Sequence, residues 1–327
     1  MLLTVEIPRL RELIVRRLAQ KYSVEDAELM ADSVLFGELV GRPSHGIARL
    51  LAGSYGAMDE EPGGSPEVTG TGPSAARITG GPGILVASLA TRLVAELASE
   101  NGMAVVSTTG SRSTSGSLTY YVEQLTSQQM VAFVVTNTLS LITPSGGWER
   151  MLGTNPLAVG IPAVGYPFIA DMATSAITGG EVIASAKTGA TIAEGVAVDN
   201  QGNPTTDPQA VLDGGALLPF GGHKGLGLSM MVQLLTGVFA GSNSLPIGDE
   251  DDWSHVFIAI SMATLGDPDQ MRQTAQDLID RIRATKTLDG SEVRIPGHRS
   301  LTRRDAALAK GTVDINSDTL EQLTNLL

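Results

Sequence analysis

Pro43-Ser44-His45-Gly46-Ile47-Ala48-Arg49 brings a hydroxyl, an imidazole and a guanidinium into one short segment. If Ser44 caps a helix, His45 lies in its first turn and Arg49 one turn later on the same face. A helix N-terminus disfavours imidazolium, which readies His45 to release a proton to a developing alkoxide or amine. Arg49 can meanwhile grip a carboxylate at two points. One helical turn rises about 5.4 Å, close to the span from a 2-oxo group to a clamped carboxylate, so the pair suits a 2-oxo or 2-imino acid. The same letters also describe a capped helix with a surface histidine and arginine.

A second group, Gly221-Gly222-His223-Lys224-Gly225-Leu226-Gly227, opens an apolar stretch. Glycines before a helix N-terminus, with a lysine beside them, can bind a pyrophosphate; close packing of helix on sheet would use them equally well. Asp171-Met172-Ala173-Thr174-Ser175 follows a strand-like run at 166–170 and offers a carboxylate and two hydroxyls, or an ordinary turn. Gly70-Thr71-Gly72-Pro73-Ser74-Ala75 matches the dinucleotide fingerprint in letters, but Pro73 and Gly80-Gly81-Pro82 deny it the helix that must follow. No Walker A motif occurs.

The elements that carry these groups need a substantial core, and 327 residues with 42% hydrophobic content supply one for a soluble chain of one or two domains. A net charge of −13 repels a polyphosphate backbone and argues against nucleic acid as the main ligand, so a small anion needs a local basic site. The absence of cysteine removes disulfides, thiolate nucleophiles and Cys-ligated metal centres, and no other metal site is expected. Glu6 and several arginines interrupt the N-terminal apolar stretch, and no run reaches about 18 apolar residues; a cytoplasmic protein without membrane contact is the expectation.

Apolar spacing predicts an amphipathic helix at 8–21, a second helix capped by Ser23 and ended by Gly41-Arg42-Pro43, and a third from Ser44 through Leu51. Residues 60–82 read as a connection, with a domain boundary near 70. A helix at 84–99 and buried strands at 103–106, 130–136 and 157–162 follow, alternating too irregularly for a fully parallel sheet. A buried helix at 226–239, an amphipathic one at 271–283 and a last one within 304–327 complete the chain; the acidic run 249–252 reads as a solvated loop.

Val40-Gly41, Ser44-His45-Gly46, Arg49-Leu50, Thr136-Asn137-Thr138, Pro144-Ser145-Gly146-Gly147, Leu152-Gly153-Thr154-Asn155-Pro156-Leu157, Asp171-Met172-Ala173-Thr174-Ser175, Pro204-Thr205-Thr206-Asp207-Pro208, Leu218-Pro219-Phe220-Gly221-Gly222-His223-Lys224-Gly225 and Pro296-Gly297 follow one another in an order that resembles the malate/L-lactate dehydrogenase family, the type-2 group that includes sulfolactate dehydrogenases and piperideine/pyrroline-2-carboxylate reductases. The resemblance implies an α/β fold that is not the Rossmann fold. It implies a helical domain from both chain ends (1–70 with 265–327), a mixed-sheet NAD(P)-binding domain (71–264), and a homodimer with the active site near its interface. The function it implies is hydride transfer from NADPH or NADH to C2 of a small carboxylate-bearing substrate, a 2-oxo acid or a cyclic 2-imino acid.

By position, the resemblance makes His45 the proton donor, Ser44 its hydrogen-bonded partner, and Arg49 and Thr154 the carboxylate ligands. Asp171, Met172, Ala173, Gly179, Gly180, His223, Lys224, Gly297, His298 and Arg299 would line the cofactor. Three departures stand out. Thr114-Ser115-Gly116 replaces the usual His-Phe-Gly beside the cofactor, so a histidine used by some members is missing. Glu181 takes the place of the aspartate of a Ser–His–Asp relay, and His298 replaces the usual glutamate after Pro-Gly. The missing histidine suggests an alternative, a catalytically silent nucleotide-binding or structural member of the family.

Overall fold

The two ends of the chain are tied together by a strand pair, Leu2–Glu6 antiparallel to Thr312–Asn316, with Leu2 opposite Asn316 and Glu6 opposite Thr312. The computed structural model describes residues 1–51, 56–58, 65–242 and 252–325. The chain divides into two compact units: Met1–Val134 with Ala158–Asp171 and Phe257–Leu327, and Val135–Leu157 with Met172–Val256. These bounds differ from cuts at 70 and 265.

In the first unit, helix Ile7–Leu18 starts on Pro8 and buries Leu10, Leu13, Ile14 and Leu18 on one stripe. Helix Val24–Leu39 is capped by Ser23, whose hydroxyl oxygen accepts the Asp26 N–H at 3.1 Å. Together with Val313 and Ile315 these helices form one core cluster. A second cluster packs helix Gly83–Asn101 and helix Leu118–Ser127 on a seven-stranded sheet, with Tyr121 and Phe257 fully buried between them. The strand order is Glu67–Gly72, Ala75–Thr79, Met103–Ser111, Trp253–Ser261, Met130–Thr136, Leu157–Ile161, Phe168–Met172. Glu67–Gly72 pairs antiparallel with Ala75–Thr79, which pairs parallel with Met103–Ser111, so the sheet is mixed.

The second unit holds a four-stranded sheet in the order Ala197–Val198, Ala216–Leu217, Ser140–Ile142, Leu152–Gly153. Ile142, Val182, Ile192, Val211 and Leu217 form its core. Helices Gly179–Thr188 and His223–Gln233 belong to this unit, and the latter runs on into a π-helical turn, Leu234–Phe239. No helix among the described residues is long and apolar enough to cross a membrane.

Four sequence expectations need correction. The 60–82 connection contains a hairpin, because the Pro73-Ser74 turn lets two short strands pair; Gly70 and Gly72 lie in its first strand. The last helix is interrupted: Gly311, at φ 74°, ends helix His298–Lys310, and the alternating Thr312–Asn316 becomes a strand before helix Ser317–Asn325. The apolar helix at 226–239 is not buried all round, since Met230, Leu234 and Phe239 are 49%, 50% and 76% exposed. The run at 166–170 is a strand two residues later, so Asp171 lies on it instead of after it. Residues 249–251 of the acidic run lie outside the described residues, while Asp252 accepts the Ser242 hydroxyl at 2.7 Å.

Candidate active site

Helix Val24–Leu39 leads into the segment that carries His45, and that segment is not the α-helix its sequence suggests. Pro43–His45 is one turn of 3₁₀ helix, with the His45 N–H donating to Arg42 O at 2.8 Å and Gly46 N–H to Pro43 O at 3.1 Å. Gly46 then adopts φ −105°, ψ −132° and breaks the helical path before the short helix Ala48–Leu51. Ser44 therefore caps no α-helix, and a helix dipole is not what acts on His45. The glycine leaves room for the Glu38 carboxylate, which a Cβ there would displace.

Ser44 Oγ and His45 Nδ1 share a hydrogen bond of 3.0 Å; with the hydroxyl as donor, the neutral ring carries its proton on Nε2. Burial, and after it the Arg49 guanidinium, push His45 down to about 4; Asp171 opposes the shift and Arg42 adds to it. Arg49 is itself partly buried, and its Nε has no hydrogen-bond partner among the described residues. Desolvation lowers its pKa. An imidazole held neutral beside an arginine without a carboxylate partner among the described residues is an acid–base group next to an anion receptor.

Asp171 is drawn into the same neighbourhood. Its Oδ2 accepts the Arg42 guanidinium at 3.1 Å, the Thr119 N–H at 3.1 Å, the Thr119 hydroxyl at 2.6 Å and the Ser117 hydroxyl at 3.4 Å. The carboxylate thus caps helix Leu118–Ser127 from a distant strand, a task its own N-cap residue Ser117 leaves undone. Thr114 Oγ1 accepts the Gly116 N–H at 3.1 Å and Ser115 O accepts the Tyr121 hydroxyl at 2.6 Å. Gly116, at φ 74°, runs close enough that a Cβ would stand 3.6 Å from His45 O. The structure so brings Ser44, His45, Gly116 and Asp171 together within the first unit.

In the Gly297-His298-Arg299 turn of that unit, Gly297 packs against Ile169. His298 Nδ1 accepts the Arg283 guanidinium at 2.8 Å, and the ring stands edge-on to Tyr166 at 5.7 Å. Burial first, then Arg283, lowers the His298 pKa, so this ring is neutral.

The remaining site residues belong to the second unit. Thr154 Oγ1 lies 3.0 Å from Thr138 Oγ1, and Thr154 O accepts both the N–H and the hydroxyl of Thr174, at 2.8 and 2.9 Å. The next residue, Asn155, is fully buried at φ 35° and donates to Ser229 O and Gln233 Oε1 at 3.0 and 3.1 Å, which fixes the turn. Met172 is exposed and Ala173 partly so. Gly179 and Gly180 open helix Gly179–Thr188, where Glu181 closes a capping box: its carboxylate accepts the Thr178 N–H at 3.1 Å and the Thr178 hydroxyl at 2.8 Å. At helix His223–Gln233 the two readings of the glycines divide between positions. Gly225 presses on the Phe220 and Thr174 backbones, whereas Gly221 and Gly222, at φ 56° and 62°, leave an open N-terminus with His223 and Lys224 exposed.

Sequence reasoning missed Arg42, Thr119 and Asn155. Arg42 reads as part of a helix-breaking Gly-Arg-Pro, and Thr119 as an unremarkable helix residue. Asn155 carried a usable signal, since an asparagine before proline and after Gly-Thr marks a constrained turn. His255, by contrast, is a core residue on strand Trp253–Ser261, pushed by burial down to about 3.

The sequence pattern of the malate/L-lactate dehydrogenase family matches residues 5–324. The chain is 33% identical to a Delta(1)-pyrroline-2-carboxylate/Delta(1)-piperideine-2-carboxylate reductase of Pseudomonas syringae pv. tomato, across 99% of this chain and 96% of that protein. It is 32% identical to the L-sulfolactate dehydrogenase of Methanocaldococcus jannaschii, across 92% and 90%. The crystal structure of delta1-piperideine-2-carboxylate reductase from Pseudomonas syringae superposes with a TM-score of 0.86 at 32% identity, covering 99% of this chain and all of that one.

Proposed function

The chain belongs to the malate/L-lactate dehydrogenase family and is an oxidoreductase, and from that premise we propose that it transfers hydride to C2 of a small 2-oxo acid or cyclic 2-imino acid. The observation that carries the reading is the pairing of His45, neutral in the free protein, with Arg49, whose Nε has no hydrogen-bond partner among the described residues and whose charge acts on the ring.

Arg49 grips the substrate carboxylate with its planar fork, and to Thr154 we assign the substrate-binding role that the family resemblance gives it. His45, protonated once a bound carboxylate offsets the Arg49 charge, gives its Nε2 proton to the oxygen or nitrogen on C2 as the hydride arrives and is left neutral, so the product gains both hydride and proton. Ser44 holds His45 Nδ1 and leaves Nε2 as the reactive nitrogen. We keep Glu181 as the candidate carboxylate of the relay, although its observed task is to close the Thr178 capping box. General acid catalysis of this kind contributes roughly 10²–10⁴-fold, and orientation by Arg49 adds to it.

NADPH or NADH, when bound, supplies the hydride. The donor set suits such a nucleotide: the open helix N-terminus at Gly221-Gly222 with His223 and Lys224 offers N–H groups and a cation to phosphate. We assign Thr114, Ser115, Gly116, Asp171, Met172, Ala173, Gly179, Gly180, Gly297, His298 and Arg299 to the rest of the nucleotide's surroundings. Asp171 acts there through Arg42 and Thr119.

The fold we infer is the non-Rossmann one of the sulfolactate dehydrogenases, with 1–70 and 265–327 as helical domain and 71–264 holding the nucleotide. Gly70-Thr71-Gly72 in a hairpin strand supports it, since no helix follows there to receive a pyrophosphate. A cytoplasmic homodimer with the active site near its interface fits the exposed Met230, Leu234 and Phe239, and light scattering tests it. The function is tested by following NADH and NADPH oxidation with a panel of 2-oxo acids, with and without methylamine, and of cyclic imines. Oxidation by one class identifies the substrate; nucleotide binding without oxidation by any would leave a silent member of the family.

A further inference from the structure

Glu38 occupies the last turn of helix Val24–Leu39 and is only 6% exposed, directly beneath the segment that carries His45 and Arg49. Its Oε1 accepts the Ile47 N–H at 2.7 Å. Ile47 and Gly46 are the link between the 3₁₀ turn Pro43–His45 and the helix Ala48–Leu51, where the helical hydrogen-bond ladder is broken. Two glycines make the contact possible. A Cβ on Gly46 would strike the Glu38 carboxylate, and one on Gly37 would stand 2.6 Å from His45 O. Helix and turn are therefore in close backbone contact at this point, with the Glu38–Ile47 bond spanning them.

We propose that Glu38 is the positioning residue of this turn: by fixing the Gly46-Ile47 link it sets the distance and direction from the His45 imidazole to the Arg49 guanidinium. The inference rests on the roles given to His45 and Arg49 above. It explains why a carboxyl group sits where water is excluded. Burial pushes Glu38 up to about 7 against the pull of the Ile47 N–H, so the site tolerates an unfavourable group that performs a geometric task. An offset held by one side chain is the kind of feature on which rate depends steeply, because reacting groups must be aligned before transfer.

The test separates the acceptor's position from its charge. Glu38→Gln keeps an oxygen in place and removes the charge; Glu38→Asp keeps the charge and shortens the reach by one methylene; Glu38→Ala removes both. In the nucleotide-free protein, exchange of the Ile47 amide proton, followed by NMR, stays slow in the parent and Glu38→Gln and becomes roughly tenfold faster or more in Glu38→Asp and Glu38→Ala. With oxaloacetate or Delta(1)-pyrroline-2-carboxylate as probe, kcat stays within about threefold in Glu38→Gln and drops about tenfold or more in the other two, with nucleotide Kd unchanged. The Gln/Asp contrast carries the test if Glu38→Ala fails to fold. Unchanged Ile47 exchange in Glu38→Asp, or a parental kcat in that variant, overturns the proposal. His45→Ala is measured alongside: an inactive His45→Ala with a fully active Glu38→Asp discards Glu38 alone, whereas a fully active His45→Ala discards the roles it depends on.

Discussion

A histidine that donates a proton must first hold one, and His45 is pushed down to about 4 by burial and by Arg49. At pH 7 such a ring is protonated in ~1 molecule in 1,000, against ~1 in 4 for an unperturbed histidine. A carboxylate bound to Arg49 cancels the second of these causes while leaving the first, so the imidazole recovers by about one pKa unit, about tenfold in protonated fraction. Substrate binding thereby loads the acid. Replacement of Arg49 by Met removes the same charge and produces the same recovery without any ligand. The chain has only four histidines, so imidazole NMR over a range of about pH 3–9 resolves each, with His45→Gln identifying the signal. Addition of oxalate to the parent raises the His45 midpoint; addition to Arg49→Met does not. In the free enzyme kcat/KM for reduction declines as pH rises above about 4, because the protonated form is the one consumed. A His45 midpoint near 6.5 in the free parent, or one indifferent to both oxalate and Arg49→Met, would rule out this loading of the imidazole.

Arg49→Lys raises KM for the acid by about tenfold or more with a smaller change in kcat, since an ammonium lacks the two-point fit; an unchanged KM removes Arg49 from the substrate. Lys224→Ala weakens nucleotide binding several-fold at low salt, and the gap from the parent closes as ionic strength rises, which calorimetry at two salt concentrations checks. Glu38→Gln changes the pH dependence of stability: the folded carboxyl titrates near 7 instead of 4.5, so it favours folding below 4.5 and that contribution is lost as pH rises to 7. Urea unfolding therefore finds Glu38→Gln gaining about 3 kcal/mol on the parent between those limits, and a pH-independent difference contradicts the assignment. Glu181→Gln weakens its helix cap by up to about 1 kcal/mol; if it also serves the relay, kcat drops as well, and superimposed pH–rate profiles would confine it to the cap.

The amphipathic helices were legible because a stripe such as Leu10, Leu13, Ile14 and Leu18 is written within one element. The strand pair Leu2–Glu6 and Thr312–Asn316 was not, since each strand is five residues long and its partner lies at the other end of the chain. Composition marks 226–239 as apolar but does not say what covers each face, which is why Leu234 and Phe239 read as core and stand exposed. Ser44, His45 and Arg49 stood out in the sequence as candidates, yet their geometry did not. A Pro-Ser-His-Gly segment fits a capped α-helix and a 3₁₀ turn equally well, and the choice is made by Glu38 and Gly37 pressing on it from another helix. The same applies to Arg42 and Asp171, whose ion pair spans elements far apart in sequence. Residues that touch substrate are chosen for their own reactivity and advertise it; residues that position them do so through contacts the linear order conceals.

In the reaction proposed above, hydride reaches C2 of a carboxylate-bound substrate while His45 supplies the proton. The deciding measurement uses reduced nicotinamide nucleotide with deuterium at both C4 positions and each active acid or imine, and mass spectrometry or NMR of the product, in the parent and in His45→Ala. That reaction places deuterium on C2 of the product, and in His45→Ala turnover is lost with nucleotide Kd unchanged. Deuterium absent from C2, or His45→Ala turning over at the parental rate, would contradict it.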